Sequence, residues 1–492
     1  MFHKKQCQCP DHQLHGPGLQ AIDIPRTDPR HPYNFSKAKK CFIAIIAALV
    51  MLNSTVSAGL PGGASPYYSS SFGVTNPFIR LLPSTTYLTG YIVGPLFFSP
   101  LSEHLGRRPV LITTATLFLV ATIGCAFSPT YACLVCMRFL AGVGGAAPIS
   151  IIGGIYADIF DDVRVRGQAT AAYTVFTTIG TVLSPTIFGY IGLFGWRWCF
   201  YVSTMCASVF GLGLLFLPET HLDSIKRHES NRNRCLSCNG IIPAQKSAFL
   251  WRNLLRQLCV STGRPLRLIC SEAIVLLSSL YCALVFAILF LLFAGYPYIF
   301  HDIYGFSYAT AGLAFLPMGV GTALSLPFYL LYDHYHWTET QKGKTWTQIE
   351  EYRRLPLACI GGPIFAASLF WLAWTSSKSF HWIIPMMSGL PLAFSLNLIL
   401  IASFNYLTDA YGAFAASALA AASCSRSICG VLLPMATSAM YTHIGIGWSM
   451  SILGAVSVLS VPIPFVFIKY GPLIRRRSPF CTNPVVESIK LY

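Results

Sequence analysis

The chain has 492 residues, of which 54% are hydrophobic and only 11% charged, with 34 Lys and Arg against 18 Asp and Glu. Soluble domains carry about a quarter charged residues, so this composition excludes a water-soluble fold. The net charge of +16 follows from cations gathered between apolar runs and does not indicate a nucleic-acid partner.

Those runs number twelve, at 41–61, 81–101, 109–127, 131–155, 168–190, 198–217, 272–296, 309–331, 355–375, 382–404, 413–440 and 448–468. Each is about 20 residues long, enough to cross a hydrocarbon core about 30 Å thick, which predicts helices rather than barrel strands. An even number places both chain ends on one side. That side holds 29 of the 34 Lys and Arg: those in 1–40, at Arg107 and Arg108, at Arg164 and Arg166, in 218–270, in 333–354 and beyond 468. The positive-inside rule makes it cytoplasmic and draws it to an anionic inner leaflet. The expected fold is therefore an all-α membrane protein of twelve transmembrane helices. It divides into an N-terminal cytoplasmic tail (1–40), a six-helix bundle (41–217), a cytoplasmic central loop (218–270), a second bundle (271–469) and a C-terminal cytoplasmic tail (470–492).

In chain order, the first tail is polar and basic, with no signal peptide evident. Its Cys7, Cys9, His12 and His15, like His221, His228, Cys235 and Cys238 in the central loop, are zinc-capable ligands whose spacing matches no standard finger, and no metal site is assigned. Seventeen cysteines, mostly within spans, read as small apolar side chains rather than as a disulfide framework. Asn53 is a polar residue inside span one. The loop "SPLSEHLGRRPV" (99–110) follows span two. Its Glu103, Arg107 and Arg108 can bond helix ends or one another to lock an inner gate, and Gly106 ends the helix.

Span four contains "RFLAGVGGAAP" (138–148). Its glycine spacing imitates a dinucleotide loop, but a phosphate cradle needs a preceding strand, and here a membrane helix surrounds the motif. The small residues at 142, 146, 150 and 154 instead form a ridge that lets another helix approach closely. Arg138 within the span is expensive in lipid and so predicted functional unless it bonds helix carbonyls. Asp158 is not on its face, because a four-step row drifts about 40° per step. Phe290, Phe293, Tyr296 and Tyr298 give span seven an aromatic face, which Pro297 ends or kinks. The segment 333–354 reads as a long interior loop. Asn397 and Asn405 lie in span ten. Between Gly412 and Gly430, fifteen of nineteen residues are Gly, Ala, Ser or Cys, and Arg426 sits near the middle of span eleven. No Asp or Glu falls at mid-depth; Glu103, Asp158, Glu272, Asp333 and Asp409 lie at cytoplasmic ends. A cavity with two arginines and no carboxylate favours neutral or anionic solutes.

The 99–110 run resembles the loop motif G-x-L-x-D-r-x-G-R-r/k of the major facilitator superfamily, with Ser99 for the first glycine and Glu103 for the aspartate. "RFLAGVGGAA" is similar to the same superfamily's fourth-helix motif. "GTVLSPTIFG" (180–189) resembles its fifth-helix antiporter motif, with Ser184 and Phe188 in place of two glycines, departures that bear on how closely that helix packs. "YADIFDDVRVRGQA", "GWRWCFYV", "PET", "YLTDAYGAFAASALAA" and "RSICGVLLP" resemble the fungal twelve-span drug:proton antiporters. The resemblance, over roughly 40–470, implies two pseudo-symmetric six-helix bundles with substrate bound between them near the midplane. It also implies Arg138 in proton transfer, Glu103, Gly106, Arg107 and Arg108 as an inner-gate latch, with Asp158 counted among the gating residues, and Gly180, Pro185 and Gly189 as a bend in the fifth helix.

The function expected is a proton-coupled secondary transporter, and not an enzyme. It exports a small organic molecule (an organic acid, secondary metabolite or toxic compound) by alternating access, with the proton gradient as its only requirement and no cofactor. Arg138, Arg426, Asn53, Asn397 and Tyr296 are the expected substrate contacts. The expected setting is a monomer in the plasma membrane, with a vacuolar or other organelle membrane as the alternative. A nutrient importer of the sugar type is the other reading; such porters repeat the acid-plus-GRR loop after span eight, and "DHYHWTETQKGK" does not. A seven-helix receptor conflicts with the span count, and no H-E-x-x-H or G-x-S-x-G motif points to a membrane enzyme.

Overall fold

A computed structural model of the chain describes residues 25–227, 229, 263, 265–478 and 480–481. Among the described residues, twelve long helices follow one another: α1 (Lys37–Ser71), α2 (Leu82–Leu105), α3 (Arg107–Ala126), α4 (Tyr131–Ile159), α5 (Val163–Ile191), α6 (Trp196–Leu215), α7 (Ala273–Pro297), α8 (Leu316–Gln341), α9 (Pro356–Thr375), α10 (Gly389–Tyr411), α11 (Ala415–His443) and α12 (Ile446–Ser460), the last continued by Pro462–Arg477. Helices are what lipid demands, since every N–H and C=O must be satisfied within the segment. Eleven of the spans are long and apolar enough to cross a membrane on composition alone. The twelfth, α2, is 24 residues long and carries a more polar face of Thr85, Ser99 and Ser102, all buried in the bundle.

Helix starts follow local chemistry. Ser36, Thr130 and Asp162 accept N–H bonds at the N-termini of α1, α4 and α5, as capping residues do. Pro297 closes α7, and the chain runs on through a wide turn at Tyr298–Ile303, as the sequence suggests.

Packing repeats between the two sets of six helices. In the first, α1 lies on α5, α2 on α4, and α3 on α4 and α6; in the second, α7 lies on α11, α8 on α10, and α9 on α10 and α12. The sets meet through α2 against α11 and α5 against α8. Second helix meets fifth in both directions, as a pseudo-twofold axis requires. The end bearing the chain termini is called the terminal end and the opposite one the distal end.

Two boundaries differ from the sequence reading. The segment 333–354 is not a loop: α8 continues to Gln341, and a short helix, Glu350–Arg354, follows. The reason is visible in "DHYHWTETQ", which has no breaker and buries Asp333, His336 and Glu339 at a helical spacing of three. Likewise the C-terminal tail begins after Arg477 rather than at 470. Of the Cys and His clusters, only His221 is among the described residues; Cys7, Cys9, His12, His15, His228, Cys235 and Cys238 lie outside them.

Small residues set the close approaches. A Cβ on Gly142 would strike the Tyr87 carbonyl of α2, and one on Gly144 would lie 2.8 Å from the Thr114 oxygen of α3. The glycines of "RFLAGVGGAAP" are thus contact surface on two sides of α4. By contrast, nothing lies within 4 Å of a Cβ on Gly211. Gly142→Leu should therefore destabilise the fold by about 3 kcal/mol or prevent it, through overpacking, while Gly211→Leu should leave the thermal midpoint in detergent unchanged. Equal midpoints for the two variants would contradict this packing.

Candidate functional site

The terminal end is closed in two layers. Within the first six helices, Gly106 (φ 106°) makes the turn from α2 to α3, and a Cβ there would meet the Glu219 carboxylate at 2.5 Å. That carboxylate accepts the N–H groups of Arg107 (2.9 Å), Arg108 (3.1 Å), Thr220 (3.0 Å) and His221 (2.9 Å). It thereby caps the positive end of α3. Burial, then the Arg107 charge, holds the His221 imidazole below its ordinary pKa. Arg107 itself reaches Asp158 at 3.3 Å and the Ser102 hydroxyl at 2.8 Å, tying α3 to α4 and α2. Arg108 donates to the Leu215 carbonyl of α6.

Sequence reading places Glu103 in this lock; the structure does not pair it with Arg107 or Arg108. It lines a small cavity together with Ser417 and Ala420 of α11, across the boundary between the halves. Glu219 takes the role expected of Glu103. It belongs to the quoted "PET", and a carboxylate just past a membrane helix was the available signal.

The second layer joins the halves. Arg164 and Gln168 of α5 both donate to Asp333 of α8 at 2.8 Å. Arg166 of α5 reaches Asp409 of α10 at 3.0 Å, and Arg354 reaches the same carboxylate at 2.8 Å. Arg354 also donates to the Tyr329 hydroxyl and to the Val163 carbonyl, lying over Gly167, where a Cβ would come within 2.7 Å of its Nη2. Its side chain is 2% exposed. These are charge-assisted bonds in a low-dielectric setting, the strong kind. None of Arg164, Arg166, Arg354, Asp333 or Asp409 was assigned a gating role from sequence.

Above the latch the interface between halves is hollow. A central chamber of about 80 Å³ is walled by α1, α2, α4, α5, α7, α10 and α11. Toward the distal end lies a cavity of about 420 Å³ that reaches exposed Arg80, Asp302 and Thr442. Phe290 belongs to the wall of both. The molecule is latched at its terminal end and hollow toward its distal end.

Arg426 faces the central chamber. It stands about 17 Å along α11, by a rise of 1.5 Å per residue, and is 8% exposed. Its guanidinium lies over the ring of Phe286 at 4.3 Å and of Phe404 at 5.6 Å. Among the described residues, its Nε is buried without a hydrogen-bond partner, and no carboxylate lines the chamber. A desolvated cation–π contact contributes about 2 kcal/mol, whereas a guanidinium at the centre of a helix in lipid costs about 3 kcal/mol or more. The site is short of negative charge.

Arg138 has the opposite character. It is 1% exposed, donates to the Pro83 carbonyl (3.0 Å), the Ser57 hydroxyl (3.1 Å) and the Ser57 carbonyl (2.9 Å), and stacks on Tyr87 at 4.2 Å. It ties α4 to α1 and α2 and lines neither cavity, so the cavity-facing contact expected for it is not what this state holds. Asn53 donates to the Ser203 carbonyl of α6, and Asn397 to Thr322 and to Ala393 of its own helix. Tyr296 is fully buried against Phe315 and Phe300. These three also lie outside both cavities: the amides of Asn53 and Asn397 donate within their own halves, as hydrocarbon surroundings favour, while Asn397 Oδ1 and the Tyr296 hydroxyl are buried without a hydrogen-bond partner. Arg426 alone of the expected substrate contacts lines one.

Along α5, Gly180 faces Leu52 and Val56 of α1, and Pro185 lies against Gly62 and Gly63. A Cβ on Gly63 would come within 2.6 Å of the Gly189 nitrogen. Ser184 donates to the Val56 carbonyl at 2.6 Å, and Phe188 fills a pocket with Leu60, Tyr68 and Trp196. The two departures from glycine therefore leave the α1–α5 contact tight.

A family model described as the Major Facilitator Superfamily matches residues 43–434. Among similar proteins, the MFS transporter fsa7 of Fusarium sp. is 33% identical over 91% of this chain and 87% of its own length. The MFS-type efflux pump MFS2 of Trichophyton rubrum is 34% identical over 92% and 76%, and the efflux pump FUBT of Fusarium oxysporum 31% identical over 90% and 75%. In fold, the chain is similar to the proton:xylose symporter XylE, with a TM-score of 0.65 at 18% identity over 88% of this chain and 97% of that one.

Asp409→Asn should loosen the latch, because Arg166 and Arg354 lose their shared carboxylate, at a cost of about 2 kcal/mol for a bond to a charged group. The expected outcome is amide exchange at least about tenfold faster in residues 163–168 and 350–354, with α3 and α6 unaffected. Unchanged exchange at the start of α5 would show that the pair does not hold the halves together.

Proposed function

The chain belongs to the major facilitator superfamily, and from that premise we propose that it exports a small organic molecule in exchange for protons by alternating access. The observation that carries this reading is the pairing of a distal hollow with a terminal latch made of ion pairs between the halves. Breaking Arg164–Asp333 and Arg166–Asp409 while the distal mouth closes would turn the same chamber toward the other side. The outward direction is supported by relatives named as efflux pumps at 31–34% identity. The solute is a compound such as an organic acid, a secondary metabolite or a toxic molecule.

The terminal end is the cytoplasmic one in this proposal, because the Lys and Arg of the loops gather there. A plasma-membrane monomer is the simplest setting, since one chain holds both halves of the path. Proton coupling rests on Arg138. Its guanidinium binds α4 to α1 and α2, two of the helices that line the distal cavity. Gly106, Arg107, Arg108, Asp158 and Glu219 hold the inner turn, and Glu103 meets α11 when the halves close. Gly180, Pro185 and Gly189 keep α5 against α1.

Comparison of small molecules inside and outside cells with and without the protein tests this reading. Export should be lost when a protonophore collapses the gradient. Arg138→Ala should reduce export at least about tenfold with the protein still in the membrane, and Arg138→Lys, which keeps the charge but not the planar fork, should fall between. Export that persists with the protonophore would overturn the coupling, and net uptake would overturn the direction.

A further inference from the structure

We infer that the central chamber is built for the head of an amphipathic organic monoanion, a single carboxylate or comparably delocalised oxyanion on a flat, mostly apolar body, held by Arg426. The inference rests on the reading of this path as a transport route and narrows its substrate.

Three observations converge on it. The guanidinium is buried, yet its Nε has no hydrogen-bond partner among the described residues. Its carbon lies over the Phe286 and Phe404 rings at 4.3 and 5.6 Å, neighbours that carry no hydrogen-bond acceptor, so its N–H donors are left for a ligand. An edge of parallel N–H donors matches a planar two-oxygen anion better than a point charge. The remaining described walls hold no second charge; Ser423 Oγ, buried without a hydrogen-bond partner, adds a neutral group. The threonines that α5 turns toward the chamber spend their hydroxyls on their own helix: Thr174 donates to Thr170, Thr177 to Tyr173, Thr178 to Thr174 and Thr181 to Thr177. They therefore present methyl groups.

Charge count and size set the rest. With one cation and no carboxylate in the wall, a dianion would leave one charge unanswered in a low-dielectric space, and a cation would be repelled. About 80 Å³ holds a head group only; the body must pass Phe290 into the distal cavity of about 420 Å³, whose lining includes Phe293, Tyr298 and Leu88, with the opposite charges of Arg80 and Asp302 at its exposed mouth. The ligand thus spans both spaces, charge inward and apolar body outward.

The test is equilibrium binding to the purified full-length protein in nanodiscs at neutral pH, without a gradient, using four probes of one shape: 2-naphthoate, its neutral amide 2-naphthamide, 2-naphthylmethylammonium and naphthalene-2,6-dicarboxylate. The wild type should bind 2-naphthoate at least about tenfold more tightly than the amide, the ratio that one bond to a charged group supplies, and more tightly than the cation and the dianion. Arg426→Gln should bring naphthoate and amide to equal affinity, and Arg426→Lys should leave an intermediate ratio. Should Arg426→Gln fail to fold, the wild-type ratios and the lysine variant still decide. Equal affinity for naphthoate and amide in the wild type, a preference for the cation or dianion, or an undiminished ratio in Arg426→Gln would each overturn the inference. Export that survives a protonophore overturns the proton-exchange reading while leaving these binding ratios intact, so the two failures are told apart.

Discussion

Every polar group within the hydrocarbon-embedded body must be answered by the protein itself, because lipid offers no hydrogen bonds. The rest of the structure can be read as the consequence. At the terminal end the answer is carboxylate: Asp158 for Arg107, Asp333 for Arg164, Asp409 for Arg166 and Arg354. Deeper, Arg138 is answered by two carbonyls, a hydroxyl and an aromatic face. At Arg426 the answer consists of rings alone. Three degrees of satisfaction sit at three places in one bundle, and they sort into latch, brace and the site proposed for a ligand.

The same constraint explains the glycines. Carbonyls and hydroxyls can answer a charge on another helix only if backbones come close, and close approach requires that side chains be absent at the crossing. Gly142 against Tyr87, four residues from Arg138, allows Arg138 to reach Pro83, and Gly167 leaves the space that Arg354 occupies. Small residues and buried arginines are therefore parts of one device. In "RFLAGVGGAAP" they happen to be adjacent.

Much of this architecture was legible because membrane spans announce themselves by length and apolarity, and because cations collect on one side of them. The arginines at 138 and 426 stood out for the same reason: a charge in a run of small apolar residues has few innocent explanations. What stayed hidden depended on rotation about helix axes and on partners far apart in sequence. Glu219 caps the helix that starts at Arg107, 112 residues earlier, and Arg354 meets Val163 across 191 residues; no local pattern encodes either distance. Asn53 and Asn397 read as cavity residues only because a polar residue in a span could turn either way. The extension of α8 was missed because a polar composition suggested a loop, although its buried residues already had helical spacing.

Phe290, shared by the two hollow spaces, gives the path two clocks. Turning the terminal latch over means parting helices joined by several ion pairs, a collective motion on the microsecond-to-millisecond scale. Phe290 is the residue common to the walls of chamber and distal cavity, and side-chain rotation is far faster than such a collective motion. A solute can therefore sample the chamber and retreat many times within a single turnover of the helices. In the proposed transport cycle, selection on that side would approach equilibrium, and residence beside Arg426, rather than rate of entry, would decide which molecules are still aboard when the slow step comes.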